Sequence, residues 1–171
     1  MKKIFIGALF LSLFLVACNA NTGPQEYSYS FGDEVEFQTH TIIGDKVNDT
    51  YKLKVSNYRV EQNIAEWDQL NEEKEYVALD LVIENIGNED SNPYTFGSAN
   101  FKFYDNNGME INSFALQEAV VEQFEYAALR PGGKNEGTIF WQIDKGEAEK
   151  ITEIVISEGG KTGDTFVIKL N

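Results

Sequence analysis

The chain has 171 residues, of which 42% are hydrophobic, and its 28 acidic and 14 basic side chains give a net charge of −14. Nucleic acid and anionic lipid surfaces repel so acidic a protein, which argues against nucleic acid as a partner. There is a single cysteine, so no disulfide can form within the chain and a hydrophobic core must hold the fold by itself.

The first 17 residues have the pattern of an export signal. Lys2 and Lys3 precede an apolar run of 14 residues, Ile4 to Ala17, and Cys18 follows directly. A membrane-spanning helix needs about 17–25 residues, so this run is too short to be one. A basic start before a short apolar core is typical of a signal peptide that is cleaved away. The sequence therefore predicts a signal peptide at 1–17.

The end of this segment, Leu15-Val16-Ala17-Cys18, resembles the lipobox of bacterial lipoproteins. The resemblance implies cleavage before Cys18 and an acylated, diacylglyceryl-bearing thiol. Membrane lipid would then be a partner through Cys18, and the protein would lie on the extracytoplasmic face of the cell membrane. The alternative is an ordinary signal peptide followed by a chance cysteine.

Cleavage before Cys18 would leave 154 residues. Residues 18–25 are small and polar without an apolar period, which predicts a flexible tether. Residues 26–171 are enough for one domain with its own core. Because only Lys2 and Lys3 are lost, 28 acidic and 12 basic residues remain, a charge of −16.

The first half of the domain shows three short alternating runs. Val35 and Phe37 alternate with polar residues, and the apolar positions of 51–55 alternate with lysines. A two-residue period predicts strands at both places. A further short strand is predicted at 58–64, and the acidic, irregular residues 65–74 follow it.

The longest alternation lies in Glu75–Asn85. Every second residue from Val77 to Ile83 is apolar, which predicts a half-buried strand at the centre of the core. With the later strands it should bury the following side chains between two sheets: Leu79, Leu81, Ile83, Phe101, Phe103, Ile139, Trp141, Ile156 and Phe166.

The second half adds a hairpin and three more runs. Asn107-Gly108 is a strong hairpin signal, so Phe101–Asp105 and Met109–Phe114 are predicted to pair. Leu116–Leu129 fits either a helix or a long loop. The last predicted strands are those around Ile139–Ile143, Ile154–Ile156 and Phe166–Leu170. Eight or nine short strands separated by turns predict an all-β fold of the sandwich type.

Several motifs also resemble a known family. They are a hydrophobic strand closing on Glu84-Asn85, Phe101-Lys102-Phe103-Tyr104-Asp105 before Asn107-Gly108, Leu129-Arg130-Pro131-Gly132, and Gly137-Thr138-Ile139-Phe140-Trp141. Together they resemble the uncharacterised immunoglobulin-like domain of many Gram-positive lipoproteins. That domain is related in fold to telokin and to a mycobacterial secreted immunoprotective antigen. The resemblance implies an immunoglobulin-like antiparallel β-sandwich outside the membrane, and it supplies no catalytic residue.

The sequence shows no recognisable enzyme chemistry. His40 is the only histidine, so common zinc sites lack ligands and no Gly-x-Ser-x-Gly motif accompanies it. Residues 61–90 contain ten acids and one lysine, which could face calcium, but the calcium-loop pattern is absent and a solvated face is the favoured interpretation. We therefore predict no enzyme, no cofactor and no metal site.

Four aromatic residues are candidate ligand contacts. Tyr94 and Phe96 precede the hairpin, and Phe124 and Tyr126 follow it. The two segments should meet at the end opposite the hairpin turn, where clustered aromatics would resemble a recognition surface. The alternative is that they close the end of the core.

Three functional hypotheses follow. The leading one is a membrane-anchored, non-catalytic module that binds a protein or an envelope ligand. The second is an accessory or sensor subunit of a membrane transporter or signalling system. The third is a hydrolase of envelope polymers that uses a carboxylate pair, but no pair is distinguished by the sequence.

Overall fold

The computed structural model describes residues 24–40, 47–62, 64, 73–92, 96–115, 124–158 and 163–170. The predicted signal peptide, Cys18 and most of the predicted tether lie outside these residues. Across the described part of the chain, no helix is long and apolar enough to cross a membrane. The strands are β1 Glu26–Ser28, β2 Glu34–His40, β3 Val47–Glu61, β4 Lys74–Asn85, β5 Phe101–Tyr104, β6 Glu110–Ile111, β7 Phe114–Ala115, β8 Lys134–Asp144, β9 Glu153–Ser157 and β10 Thr165–Lys169.

Within the described residues, ten strands form two five-stranded sheets with a shared core, so the predicted β-sandwich is confirmed. One sheet has the order β1-β10-β9-β5-β6 and the other the order β2-β3-β4-β8-β7; we call them the β10 sheet and the β4 sheet. The pairing is antiparallel except that β1 runs parallel to β10. The exception arises where the chain enters the domain beside its last strand, and Gln25 O accepts the Thr165 N–H at 2.9 Å.

The predicted central strand is β4, which lies in the middle of its sheet between β3 and β8. Its inward side chains from Val77 to Ile83 are at most 4% exposed. The opposite face differs from the prediction at its start, because Tyr76 and Ala78 are also buried. Ala78 pairs with Phe140 of β8, which is itself buried. The strand is therefore half-buried only in its second half.

The core joins the two sheets through aromatic and aliphatic side chains. All nine side chains predicted to be buried are at most 6% exposed. Trp141 of β8 contacts two rings of β5 in the facing sheet, with centroids 5.2 Å from Phe101 and 5.2 Å from Phe103. This cluster packs the middle of one sheet against the other.

The strand predicted at 58–64 is not a separate element. β3 continues through it to Glu61, with a register shift against β4 between Ser56 and Arg59. Asn57 lies in this bulge with φ 60°, a left-handed conformation that asparagine tolerates better than most residues. A bulge bends a strand without ending it, which explains why two apparent strands are one.

The hairpin at Asn107-Gly108 forms as predicted, but its return strand is shorter. Gly108 has φ 75°, and Asp105 Oδ1 accepts the N–H groups of Asn107 and Met109, both at 2.8 Å. β6 pairs with β5 only as far as Ile111. Phe114 then belongs to β7 of the opposite sheet, where it pairs with Gln142. The predicted single strand is therefore split by a crossing between sheets.

Two substitutions on β4 test which face supports the fold. Leu81→Ala should lower the free energy of unfolding by about 2–5 kcal/mol, because it leaves a cavity in the core. Asp80 lies on the other face with a third of its side chain exposed, so Asp80→Ala should cost about 1–2 kcal/mol through lost hydrogen bonds. Urea unfolding of both variants measures this, and a larger loss for Asp80→Ala would mean that the faces are assigned wrongly.

Candidate functional site

A groove opens at one side of the sandwich, where β2 at the edge of the β4 sheet lies close to β1 and β10 of the other sheet. It encloses about 370 Å³, a volume within the range of small ligand sites. The lining residues are Tyr27, Val35, Glu36, Gln38, Glu158, Asp164 and Phe166. Three of them are acids and none is a lysine or arginine.

The apolar part of the groove is continuous with the core. Phe166 is buried and stacks on Tyr27, with ring centroids 5.7 Å apart. The ring centroid of Phe166 also lies 6.0 Å from that of Phe37, which is fully buried. Tyr27 is 45% exposed. One aromatic face is therefore available at the surface while its partner is fixed by the core.

Glu158 is the central polar residue of the groove. It is only 8% exposed. Its Oε1 accepts the Gln38 N–H of β2 at 2.8 Å, and its Oε2 accepts the Asp164 N–H at 2.9 Å. Hydrogen bonds from N–H groups to a carboxylate are stronger than neutral ones. Glu158 therefore fastens the edge of the β4 sheet to the segment that precedes β10.

The surroundings of Glu158 oppose its ionisation. Burial raises the pKa of the Glu158 carboxyl above its usual value, and the negative charge of Asp164 acts in the same direction. The two N–H donors and the nearby His40 oppose this rise without cancelling it. His40 Nδ1 is buried and has no hydrogen-bond partner among the described residues. The charge of Asp164 also raises the pKa of the Tyr27 hydroxyl.

The backbone of β2 directs polar groups into the groove. The Gln38 N–H faces Glu158 and therefore points away from β3. Thr50 of β3 lies directly opposite Gln38. Its C=O points away from β2 and accepts the Ile86 N–H at 3.0 Å. Gln38 and Thr50 are thus a pair without ladder hydrogen bonds between them.

Along an antiparallel ladder, residue pairs without mutual backbone hydrogen bonds alternate with pairs that have them. Glu36 and Glu34 lie two and four residues before Gln38 and keep the same register with β3. Their backbone N–H and C=O groups therefore point to the groove side as well. The outer edge of β2 presents a row of main-chain donors and acceptors.

Phe96, Phe124 and Tyr126, three of the four aromatic residues predicted as ligand contacts, are not among the residues that line this groove. Phe96 and Phe124 are 4% and 1% exposed and belong to the core cluster, which supports the alternative that they close its end. Tyr126 is half-buried, packs on Phe124 at 5.6 Å, and accepts the Ser98 N–H at 3.3 Å through its hydroxyl. Tyr94 lies outside the described residues.

The two segments that carry these aromatics do meet, as predicted, and Asn85 joins them. Asn85 is 1% exposed, and its Nδ2 donates to Glu89 O at 2.8 Å and to Leu129 O at 2.7 Å. Leu129 also exchanges two hydrogen bonds with Ser91, both at 2.9 Å: its N–H donates to the Ser91 hydroxyl Oγ, and its C=O accepts from the Ser91 N–H. The end of β4 therefore organises this end of the sandwich.

Two acidic residues of 61–90 make structural contacts, whereas Glu73, Glu89 and Asp90 are exposed, as expected for a solvated face. Glu75 is 5% exposed, and its Oε1 accepts the N–H groups of Gly146 and Ala148, both at 2.9 Å. Asp80 accepts from Arg59 at 2.8 Å. In the described part of the chain, no group of three or more potential ligands could hold a metal ion. Glu66, Asp68 and Glu72 lie outside the described residues.

Sequence reasoning did not find the groove. Glu158 follows the last residue of β9 and precedes two glycines, a context that indicates only a turn. Its role depends on Gln38, which lies 120 positions earlier. No local signal could have connected them.

The comparisons with known proteins identify a family and a fold. A family model described as "Domain of unknown function (DUF4352)" matches residues 41–164. No curated protein sequence matches the chain significantly.

Three solved structures share the fold at low sequence identity. The secreted protein MPT63 from Mycobacterium tuberculosis is 13% identical, with a TM-score of 0.57 over 85% of this chain and 98% of that one. An uncharacterized β-sandwich protein from Clostridium difficile is 12% identical, with a TM-score of 0.52 over 86% and 96%. A functionally unknown protein from Listeria monocytogenes is 13% identical, with a TM-score of 0.51 over 81% and 88%. The expected relation in fold to a mycobacterial secreted protein is confirmed.

Glu158 should make the stability of the protein depend on pH. Its folded pKa is raised above the unfolded value of about 4.3, so its contribution to the free energy of unfolding is complete below that pH and is lost as pH rises through the folded pKa. Gln cannot titrate. The stability of the wild type minus that of Glu158→Gln should therefore decrease as the pH rises above about 4, measured by urea unfolding.

Asp80 provides a control of opposite sign. Burial opposes its ionisation, but hydrogen bonds from Thr138, Asn57 and Arg59 and the Arg59 charge hold the pKa of Asp80 below its usual value. Its contribution is present above the unfolded value of about 3.9 and is lost as pH falls through the folded pKa. The wild type minus Asp80→Asn difference should increase with pH over the acidic range. Equal signs for both variants would contradict the assignment.

Proposed function

The chain belongs to the DUF4352 family, and from that premise we propose that it is a non-catalytic binding module on the outer face of the cell membrane. In this proposal the acylated Cys18 anchors the domain, and the groove beside β2 holds a protein or envelope ligand. The observation that supports the binding role is that both carboxylate oxygens of Glu158 accept backbone N–H groups from the two sides of the groove.

Glu158 acts as a fixed hydrogen-bond acceptor. Each of its oxygens is engaged by a backbone N–H, one from β2 and one from the segment before β10. A general base or nucleophile needs an oxygen aimed at the reacting atom, whereas these oxygens brace the two sides of the groove. The arrangement suits a rigid surface that recognises a ligand without transforming it.

The address of the protein is supported by the sequence. Leu15-Val16-Ala17-Cys18 ends an apolar run of signal-peptide length. The tether from residue 19 to 24 could extend about 20 Å at ~3.5 Å per residue, which would keep the domain close to the membrane. The mycobacterial protein of the same fold is itself described as secreted.

Replacing the lipidated residue tests the anchor. Cys18→Ser removes the thiol that would carry two acyl chains, and each buried CH₂ contributes about 0.8 kcal/mol to membrane binding. The variant should move from the membrane fraction to the medium or the soluble envelope fraction, measured by immunoblotting. Asn19→Ser is the matched control and should stay in the membrane. Wild-type membrane recovery of Cys18→Ser would refute the anchor.

Site-specific photo-crosslinking tests the binding role. In cells that express the full chain, a photoreactive phenylalanine analogue replaces Tyr27, which is exposed in the groove, or Met109, which is 67% exposed at the hairpin. We expect a discrete crosslinked species from position 27 and none from position 109. Mass spectrometry of that species separates an envelope ligand from a transporter or signalling partner. The same pattern from both positions, or no species from position 27, would contradict the proposal.

A further inference from the structure

We propose that the outer edge of β2 binds an extended, positively charged polypeptide segment as an added strand of the β4 sheet. This inference rests on the proposed binding function and specifies its ligand. It depends on three observations: free main-chain groups on β2, an acidic groove, and the pattern of the strand already paired with β2.

The main chain of β2 is open to a partner at two residues. The outward N–H and C=O groups of Glu34 and Glu36 have no hydrogen-bond partner among the described residues. Glu158 covers the N–H of Gln38 alone. A strand that lies along residues 34–36 could therefore form ladder hydrogen bonds before it reaches the Glu158 contact. Addition of a strand to an exposed sheet edge is an established mode of peptide recognition.

The charge of the groove selects the side chains of the added strand. Glu36, Glu158 and Asp164 line the groove with acidic side chains, and Glu34 lies two residues before Glu36 on the same face of β2. Among the described residues, Lys52 is the cation that forms an ion pair with one of these acids; it is 3.7 Å from Glu34 and well exposed. Cationic side chains on one face of the ligand would neutralise this charge, and like charges would be repelled.

The strand already paired with β2 shows the matching pattern. β3 places Lys54 opposite Glu34 and Lys52 opposite Glu36, and its intervening residue Leu53 is fully buried opposite Val35. β2 thus accepts on its inner edge a strand in which lysines and apolar residues alternate. A ligand on the outer edge would meet the same glutamates on one face. Its apolar side chains would meet Val35, Tyr27 and Phe166 on the other.

Charged residues on an edge strand also protect proteins from aggregation. If that were the only role of Glu34 and Glu36, basic peptides would bind by charge alone, without a need for main-chain hydrogen bonds. The two possibilities therefore differ in a measurable way, because methylating peptide nitrogens removes the donors and leaves the charge unchanged.

The experiment uses the full chain in detergent micelles and a fluorescent peptide of seven residues, the length of β2, in which lysine and valine alternate. Fluorescence anisotropy should show saturable binding that weakens with salt. The same peptide, methylated on the nitrogens that would face β2, should bind at least about tenfold more weakly. Equal affinity of the two peptides, or no binding of either, would overturn the inference.

Two protein variants locate the interaction. Glu36→Lys should lower the affinity about tenfold or more, because it places a cation opposite the cationic peptide. Glu136→Lys makes the same charge change on an exposed residue of β8, three strands away in the same sheet, and should leave the affinity within about twofold. Equal losses would show general charge attraction and overturn the inference. Glu36→Gln, with a smaller loss expected, keeps the test valid if Glu36→Lys shows a reduced urea midpoint.

The crosslinking experiment separates this inference from the function on which it rests. If position 27 captures a partner in cells but the peptide does not bind, only the strand-addition inference fails. If position 27 captures nothing, the proposed function fails whatever the peptide does. Loss of the crosslink when the alternating peptide is added in excess would connect the two.

Discussion

The packing of Trp141 between Phe101 and Phe103 is the contact on which the sandwich depends. It joins β8, beside the central strand of one sheet, to β5 of the other, with ring centroids 5.2 Å apart in both pairs. Among the described strands, none of one sheet pairs with a strand of the other. The two sheets are therefore held together by the burial of apolar side chains between them. Because no internal disulfide is possible in a chain with one cysteine, the fold depends on apolar packing of this kind throughout the core.

Buried polar side chains define where that core ends. Asn85 fastens the segments at one end through Glu89 O and Leu129 O, and Glu75 accepts the N–H groups of Gly146 and Ala148. Glu158 does the same at the side, across the edge of β2. Each uses its oxygens or amide to satisfy backbone groups that would otherwise be buried without partners. The contact of Glu158 adjoins an open groove, and for that reason we place the binding role there.

The errors of sequence interpretation share one physical cause. Phe114 follows a confirmed hairpin, yet it pairs with Gln142 in the opposite sheet, because the chain crosses the sandwich after Ile111. The segment at 58–61 has the period of a new strand, yet a bulge at Asn57 makes it part of β3. The local sequence pattern indicates which side chains of a strand face the core. The sheet to which the strand belongs depends on its pairing with strands that are distant in sequence.

The sequence by itself determined the fold class, the position of β4 and the identity of the core, because a two-residue apolar period states directly which side chains must leave water. The nine buried residues named from that period are all at most 6% exposed. Only the tertiary structure decided that β2 is an edge strand, that its free main-chain groups face a groove, and that Glu158 meets Gln38 across 120 positions. Edges and grooves arise from which strands become neighbours, and that choice is made by the packing of the whole chain.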